Sequence, residues 1–425
     1  MTENKKQVTA AILGCGSRGA LFCELMTKMD GAYRITALCD ISDEQIEKTK
    51  KLCSVYDAES FTDRDKFFEK KRADVLAIAT PDREHVAQAI RALELGYDIL
   101  LEKPISDSRE ELSALLEAQK KSGRTVIVCH ELRYGKGYMK CEEILRSGRL
   151  GRLYAIDASE RATYWHWAQA YVRGAGAYLE LSHPAILAKC SHDLDLVQNF
   201  AGSECESLSS VGGLDFFKEE NAPEGSAERC FDCKYVESCP YSAKRIYIDL
   251  WHKEGEPEFV WPYNMITLQI PNTEEAIREG LRTGRYGRCA FRCNAEKVDN
   301  QMVQMTFKNG VKASLKMVYA AEAGRRFAFY CTGGEMIFDA RMGTIEVMPF
   351  GEERETIDVK KLTGGAHVGH GGGDKEIIRE LYEIVCGEKV AATSLAESVE
   401  SHLMGIAAEE SRALGGALVK VHREA

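Results

Sequence analysis

Residues 8–19 read VTAAILGCGSRG. A short apolar run, long enough for a buried strand, breaks into glycines spaced G-x-G-x-x-G. A helical stretch follows to about residue 30, and residues 33–39 (YRITALC) form a second strand ending at Asp40. The acid stands about 20 residues beyond the last glycine, as a dinucleotide site requires. Gly14 permits the tight turn, and Gly19 lets helix and strand pack closely. Gly16 lets backbone N–H groups approach a pyrophosphate at the positive helix N-terminus, so Gly14, Gly16, Ser17, Arg18 and Gly19 form a candidate cofactor loop. Asp40 can accept hydrogen bonds from a ribose diol and would repel a 2′-phosphate. No arginine follows in ISDEQ (41–45), so NAD is favoured over NADP.

The alternation continues. Residues 73–79 (ADVLAIA) read as a strand, then Thr80-Pro81, a helix over 84–95, a strand over 97–101, a helix over 108–122 and a strand over 125–129. Repeated β-α units predict a doubly wound parallel sheet, whose ligands lie beyond the carboxyl ends of its strands. Thr80 and Lys103 both stand at such ends. In ILLEKPI (99–105), Pro104 stops the strand because it cannot donate to the ladder. Lys103 is thereby delivered to the edge where a nicotinamide would lie.

GCGSRG (14–19), TPDREH (80–85) and EKP (102–104) resemble the glucose–fructose oxidoreductase, inositol dehydrogenase and MocA family. The resemblance implies an NAD(P)-dependent enzyme acting on a sugar or polyol. It also implies a C-terminal domain on a large open sheet that often forms a dimer or tetramer interface. Lys103 would be the active-site lysine, beside the nicotinamide and a substrate hydroxyl, with Thr80, Pro81, His85 and Glu102 lining the cofactor.

The predicted architecture is α/β. An NAD-binding Rossmann domain occupies 1–130. A C-terminal domain with a mostly antiparallel open sheet occupies 131–425 and carries a Cys-rich insertion near 205–260. In this second half 138–147 reads as a helix and 153–158 as a strand. Residues 302–319 form a hairpin around Asn309-Gly310, whose two turn positions both call for positive φ. Residues 326–331 and 335–338 flank a tight turn at 332–334.

The chemistry of this half centres on AILAKCSHDLDLV (185–197). At helical spacing Lys189, His192 and Asp193 fall within one turn. The family commonly has an Asp four residues before the His and another Asp shortly after it. His192 and Asp195 match, whereas Ala188 stands where the first acid belongs. Lys189 either replaces that acid as a substrate contact or pairs with Asp193. For hydride transfer His192 would take the hydroxyl proton and Lys103 would stabilise the developing alkoxide.

Other candidates surround these. Arg133 lies in HELRYGKG (130–137), where one half gives way to the next. ATYWHWAQAYVRG (162–174) offers His166 and Arg173 among aromatics that suit either a sugar face or plain packing. In GHGGGD (369–374), Asp374 can cap the following helix and His370 could reach substrate. ERCFDCKYVESCPY (228–241) places Cys230, Cys233 and Cys239 at spacings that suit a structural zinc or free redox thiols. Zinc would need a fourth ligand from Cys205, Cys289, Cys293 or a nearby histidine.

Composition narrows the class. The chain has 425 residues, enough for two or three domains, and a net charge of −10 with dispersed Lys and Arg, which argues against nucleic acid. No apolar run approaches the roughly 18 residues that span a bilayer. The N-terminal MTENKKQVTAA lacks a signal-peptide pattern, so most of the 15 cysteines are expected to be reduced core residues in a cytoplasmic protein. Three functions fit: a sugar or polyol dehydrogenase, a glycosidase working through a transient keto-sugar, and a non-catalytic NAD-sensing regulator.

Overall fold

The computed structural model describes residues 6–258, 260–362, 372–389, 391 and 393–422. Two sheets organise them. The first has six strands: β1 (Val8–Leu13), β2 (Tyr33–Cys39), β3 (Glu59–Phe61), β4 (Val75–Ile78), β5 (Asp98–Leu101) and β6 (Val126–Val128). They run in parallel in the order β3-β2-β1-β4-β5-β6. The order reverses beside β1, so a crevice opens there at the carboxyl edge. β4 is buried at all its positions, as a strand covered on both faces must be.

The second sheet contains β7 (Leu153–Thr163), β8 (Cys205–Gly213), β9 (Asn300–Phe307), β10 (Lys312–Ala321), β11 (Gly324–Cys331), β12 (Gly334–Asp339), β13 (Thr344–Pro349), β14 (Glu355–Asp358) and β15 (Val419–Lys420). Its order is β14-β13-β12-β11-β7-β10-β9-β8-β15, and only the β7–β10 pair is parallel. The β9–β10 hairpin forms where the sequence predicts it, with a longer turn. Residues 308–311 connect the strands, and of Asn309 and Gly310 only Gly310, at φ +91°, has positive φ. One left-handed glycine closing a longer loop replaces the two-residue turn that would need both.

Two boundaries differ from expectation. Residues 205–213 are β8, so the Cys-rich insertion runs over 214–299, between β8 and β9. The helix Gly373–Val385 returns to the first sheet. Its Ile377, Ile378 and Leu381 share a core with Val8, Ile12 and Phe22, and the Tyr33 hydroxyl donates to the Ile378 carbonyl at 3.1 Å. A split at residue 130 therefore describes the sheets but not the packing. The helix Leu395–Ala413, started by a Ser394–Glu397 capping box, packs on β8 and also reaches the first domain at β6. No helix among the described residues is long and apolar enough to cross a membrane.

Candidate active site

The glycine turn behaves as its spacing requires. Gly14 has φ +90°, and a Cβ there would lie 2.5 Å from the Ala79 carbonyl oxygen. A Cβ on Gly19 would lie 1.8 Å from the Gly14 oxygen, so any side chain would force the helix Ser17–Thr27 off β1. A Cβ on Gly16 would meet nothing within 4 Å, which leaves open space at the helix N-terminus for a pyrophosphate. Asp40 extends from β2. Its carboxylate accepts the Cys15 N–H at 2.7 Å and the Ser42 N–H at 2.9 Å. Each oxygen keeps a lone pair for a ribose hydroxyl, so these residues fit an NAD. Asp40→Ala should weaken NAD binding about 10-fold or more; calorimetric titration showing unchanged affinity would discredit the ribose contact.

The strand ends are tied together by two buried histidines. The His85 ring, 1% exposed, lies 3.0 Å from the Thr80 oxygen and 2.7 Å from the Pro104 oxygen. It holds the loops after β4 and β5 rather than lining the cofactor, a correction to the expectation. His402 Nε2 accepts the Ile105 N–H at 2.9 Å while Nδ1 faces the Ser398 oxygen at 2.7 Å. That pairing needs a neutral ring, and burial, with the neighbouring His130, pushes His402 down to about 3. Thr80 donates to Gln88 Oε1 at 2.6 Å, and Pro81 is exposed at the start of a short helical turn.

Lys103 crosses between the two halves. Its Nζ donates to the Ala188 carbonyl at 3.1 Å, and the Tyr171 hydroxyl donates to the same oxygen at 3.1 Å. Ala188 ends the short helix Ala185–Ala188, and His192 lies in the first turn of the next, Ser191–Ala201. His192 Nε2 lies 3.7 Å from Glu131 Oε2, and Glu131 is paired through its other oxygen with Arg18. Arg18 also pairs with Glu102, next to Lys103, and with Asp374 at 2.8 Å. Lys103, Glu102, Arg18, Glu131 and His192 thus form one connected chain of contacts, and Lys103 also reaches Ala188, four residues before His192. Glu131, in the turn that follows β6, supplies an acid beside His192, where the local sequence has only Ala188.

Several candidates sit elsewhere than expected. Arg18 turns its side chain inward to these carboxylates, leaving only its backbone at the cofactor turn. Arg133 is a bidentate partner of Asp195 at 2.6 and 2.8 Å and contacts Gln198 and Asn199. Burial alone would raise the Asp195 carboxylate, but His130 and Arg133 hold it below the usual range. Lys189 pairs with Glu160 on β7 at 3.2 Å, and Asp193 pairs with Arg325 at 2.7 Å, so the two do not pair with each other. Arg325 also reaches Glu160 at 3.0 Å, which closes a neutral buried quartet. Arg173, 1% exposed, faces the Cys-rich insertion. Arg133, Lys189 and Arg173 are therefore structural cations rather than substrate contacts. His166 packs against Trp261 at 4.7 Å between ring centres. His370 lies outside the described residues.

Two neighbours of Lys103 carry no sequence signal. Tyr171 shares its acceptor, as described. Lys297, 2% exposed, donates to Ser182 Oγ at 2.9 Å, and Ser182 in turn donates to Asp82 at 2.5 Å. Burial, reinforced by Arg83 and Lys103, lowers the Lys297 amine to about 7 despite Asp82. A lone lysine in the loop before β9 looks like surface until the fold covers it. In the unfolded chain the same amine titrates near ~10.4. The folded chain therefore binds fewer protons between those values, and stability should rise with pH there. Unfolding free energies of the parent relative to Lys297→Met should climb from pH 7 to 10; a flat difference would rule out the lowered amine.

Residues 8–130 match the Gfo/Idh/MocA family, described as an oxidoreductase family with an NAD-binding Rossmann fold. YteT of Bacillus subtilis (strain 168), named as an oxidoreductase, is 25% identical over 421 residues, 91% of this chain and 93% of its own. The 2,7-anhydro-N-acetylneuraminate hydratase of Mediterraneibacter gnavus is 25% identical over 278 residues, 64% of this chain and 67% of its own. A levoglucosan dehydrogenase, solved with NADH and levoglucosan, shares the fold with a TM-score of 0.72 at 15% identity, covering 98% of this chain and all of that one (100%). Residues 8–130 thus carry the NAD-binding Rossmann domain of the Gfo/Idh/MocA oxidoreductase family, and the whole chain shares the fold of the levoglucosan dehydrogenase.

Proposed function

We propose that the protein oxidises a secondary hydroxyl of a sugar, sugar derivative or polyol with NAD. The observation that carries this is the Lys103 amine, placed beyond the end of β5 at the crevice edge and bonded across the boundary to Ala188. Bound NAD would supply the hydride acceptor. Lys103 would hold the substrate oxygen and stabilise its negative charge as the C–H bond breaks. His192 would take the hydroxyl proton, with Glu131 beside it to stabilise the imidazolium. Asp40 and the glycine turn would bind and orient the adenosine end. The NAD-linked levoglucosan dehydrogenase of the same fold supports a carbohydrate substrate.

One observation favours a second reading, a redox-neutral elimination such as glycoside cleavage. Lys297 is a further amine, lowered to about 7, close enough to Lys103 to feel its charge. Elimination needs an additional base to take the C–H proton next to a transient carbonyl, and a relative is named as a hydratase. A panel of sugars, inositols and aryl glycosides with NAD separates the readings. Net NADH supports the dehydrogenase, and aryl release without net NADH supports the elimination. Neither signal, with tight NAD binding intact, overturns both in favour of a non-catalytic NAD sensor.

The setting follows from the same features. All 15 cysteines are free, which supports a reducing cytoplasm. Val211 and Met302 pair across β8 and β9 and are 53% and 48% exposed, so the outer face of the second sheet offers an apolar patch for self-association. Light scattering giving a monomer mass would remove that inference.

A further inference from the structure

The 214–299 insertion contains little regular structure, yet it closes on itself around sulfur. Cys230, Cys233 and Cys239 line one side of a small cavity, and Cys289 arrives from the other end of the insertion to complete it. The two ends are stitched by a bridge between Arg229 and Arg288 and by the Cys289 N–H donating to the Glu228 oxygen at 2.8 Å. The other candidate thiols are excluded by position. Cys205 lies in β8 and donates to the Ser207 and Thr306 oxygens, and Cys293 donates to the Cys289 oxygen at 3.1 Å, away from the cavity. The cavity lining holds neither a histidine nor a carboxylate. The sulfurs share the lining with the hydroxyl-bearing Ser226, Tyr235, Tyr241 and Ser242, and among these donors only the thiolates are soft.

A buried cation beside these sulfurs points to an anionic centre. Arg173 directs Nη2 at Cys230 Sγ, 3.6 Å away, donates to the Arg288 and Tyr241 carbonyls, and also meets the Tyr247 hydroxyl. Among the described residues this guanidinium, 1% exposed, has no carboxylate partner. A buried cation needs a counter-charge, and four thiolates around a metal retain net negative charge. The spacing then selects the occupant. A single zinc holds its thiolates about 3.8 Å apart, the edge of a tetrahedron with ~2.3 Å bonds. Among the described residues no three cysteine sulfurs lie within 4.8 Å of one another. A cluster of several irons sets its four thiolates wider than one ion does.

We propose that Cys230, Cys233, Cys239 and Cys289 hold an iron–sulfur cluster that staples the insertion. Arg173 transmits this anchoring to the cleft, because it ends the helical segment Ala168–Arg173 that carries Tyr171, which bonds to Ala188 beside Lys103. The cluster is structural, and no electron transfer to the nicotinamide site is invoked.

The test is metal and acid-labile sulfide analysis of the full chain purified without oxygen, with its visible absorption. About four irons and four sulfides per chain are expected, with a broad band near the blue end that bleaches on oxidation. Cys289→Ser should lose most of the iron, whereas Cys293→Ser should keep it. Circular dichroism and NAD titration establish that both variants remain folded. Bleaching the parent with oxidant, which needs no variant, should expose the insertion to limited proteolysis while NAD binding persists. Stoichiometric zinc without sulfide overturns the cluster. Absence of any metal, or full iron retention in Cys289→Ser, overturns the site.

Discussion

Lys103→Met is expected to lower kcat by about 10³-fold or more while leaving NAD affinity within about tenfold. Methionine preserves the length and packing of the side chain and removes only its charge and donors. The backbone that fixes the loop is untouched: the Lys103 N–H still donates to Glu102 Oε2 at 3.0 Å, and His85 and His402 still hold Pro104 and Ile105. The amine reaches Ala188 in the second half, beyond the glycine turn where the dinucleotide would be gripped. Its loss should therefore fall on the reacting hydroxyl. Steady-state kinetics with a sugar substrate, together with NAD titration of the same preparation, makes the separation. Retained turnover would remove Lys103 from the chemistry, and lost NAD binding would show that it acts on the cofactor instead.

Arg18→Met should destabilise the protein by about 3–5 kcal/mol, the range seen when one partner of a buried ion pair is removed. Arg18 is the shared cation of Glu102, Glu131 and Asp374, whose side chains are 7%, 1% and 10% exposed. Glu102, Cys129 and Glu131 present ligand atoms within 4.8 Å of one another, an arrangement that could hold a metal ion, and here the guanidinium supplies the positive charge. Without it the carboxylates face one another in a space with little water. Arg18→Lys keeps a charge but not the planar fork that serves three acids at once, so it should recover only part of the loss. Denaturant unfolding measures both. A loss below about 1 kcal/mol, the size of a surface pair, would deny Arg18 this role.

These two residues also mark how far local reading reaches. Lys103 is legible because a strand, its stopping proline and the preceding acid occur together in ILLEKPI. Arg18 is legible only in part. Its place in the G-x-G-x-x-G spacing marks the cofactor turn, yet its side chain belongs to an acid network whose members stand 84, 113 and 356 residues away. Arg133 and Arg173 show the same limit. Each has the chemistry of a substrate contact, and each is drawn into the interior by partners from other elements.

The sequence by itself determines the nucleotide-binding half: its strand and helix alternation, its glycine turn, Asp40 and the position of Lys103. Those features arise from hydrogen-bond periodicity and steric limits acting over a few residues, so they are written locally. Only the tertiary structure decides that Glu131 accompanies His192, that Lys297 is buried beside the cleft, and that Cys289 faces the other three cysteines. Burial and charge pairing depend on which surfaces meet when two sheets and a long insertion pack. Residues that meet that way share a dielectric environment without sharing any spacing along the chain.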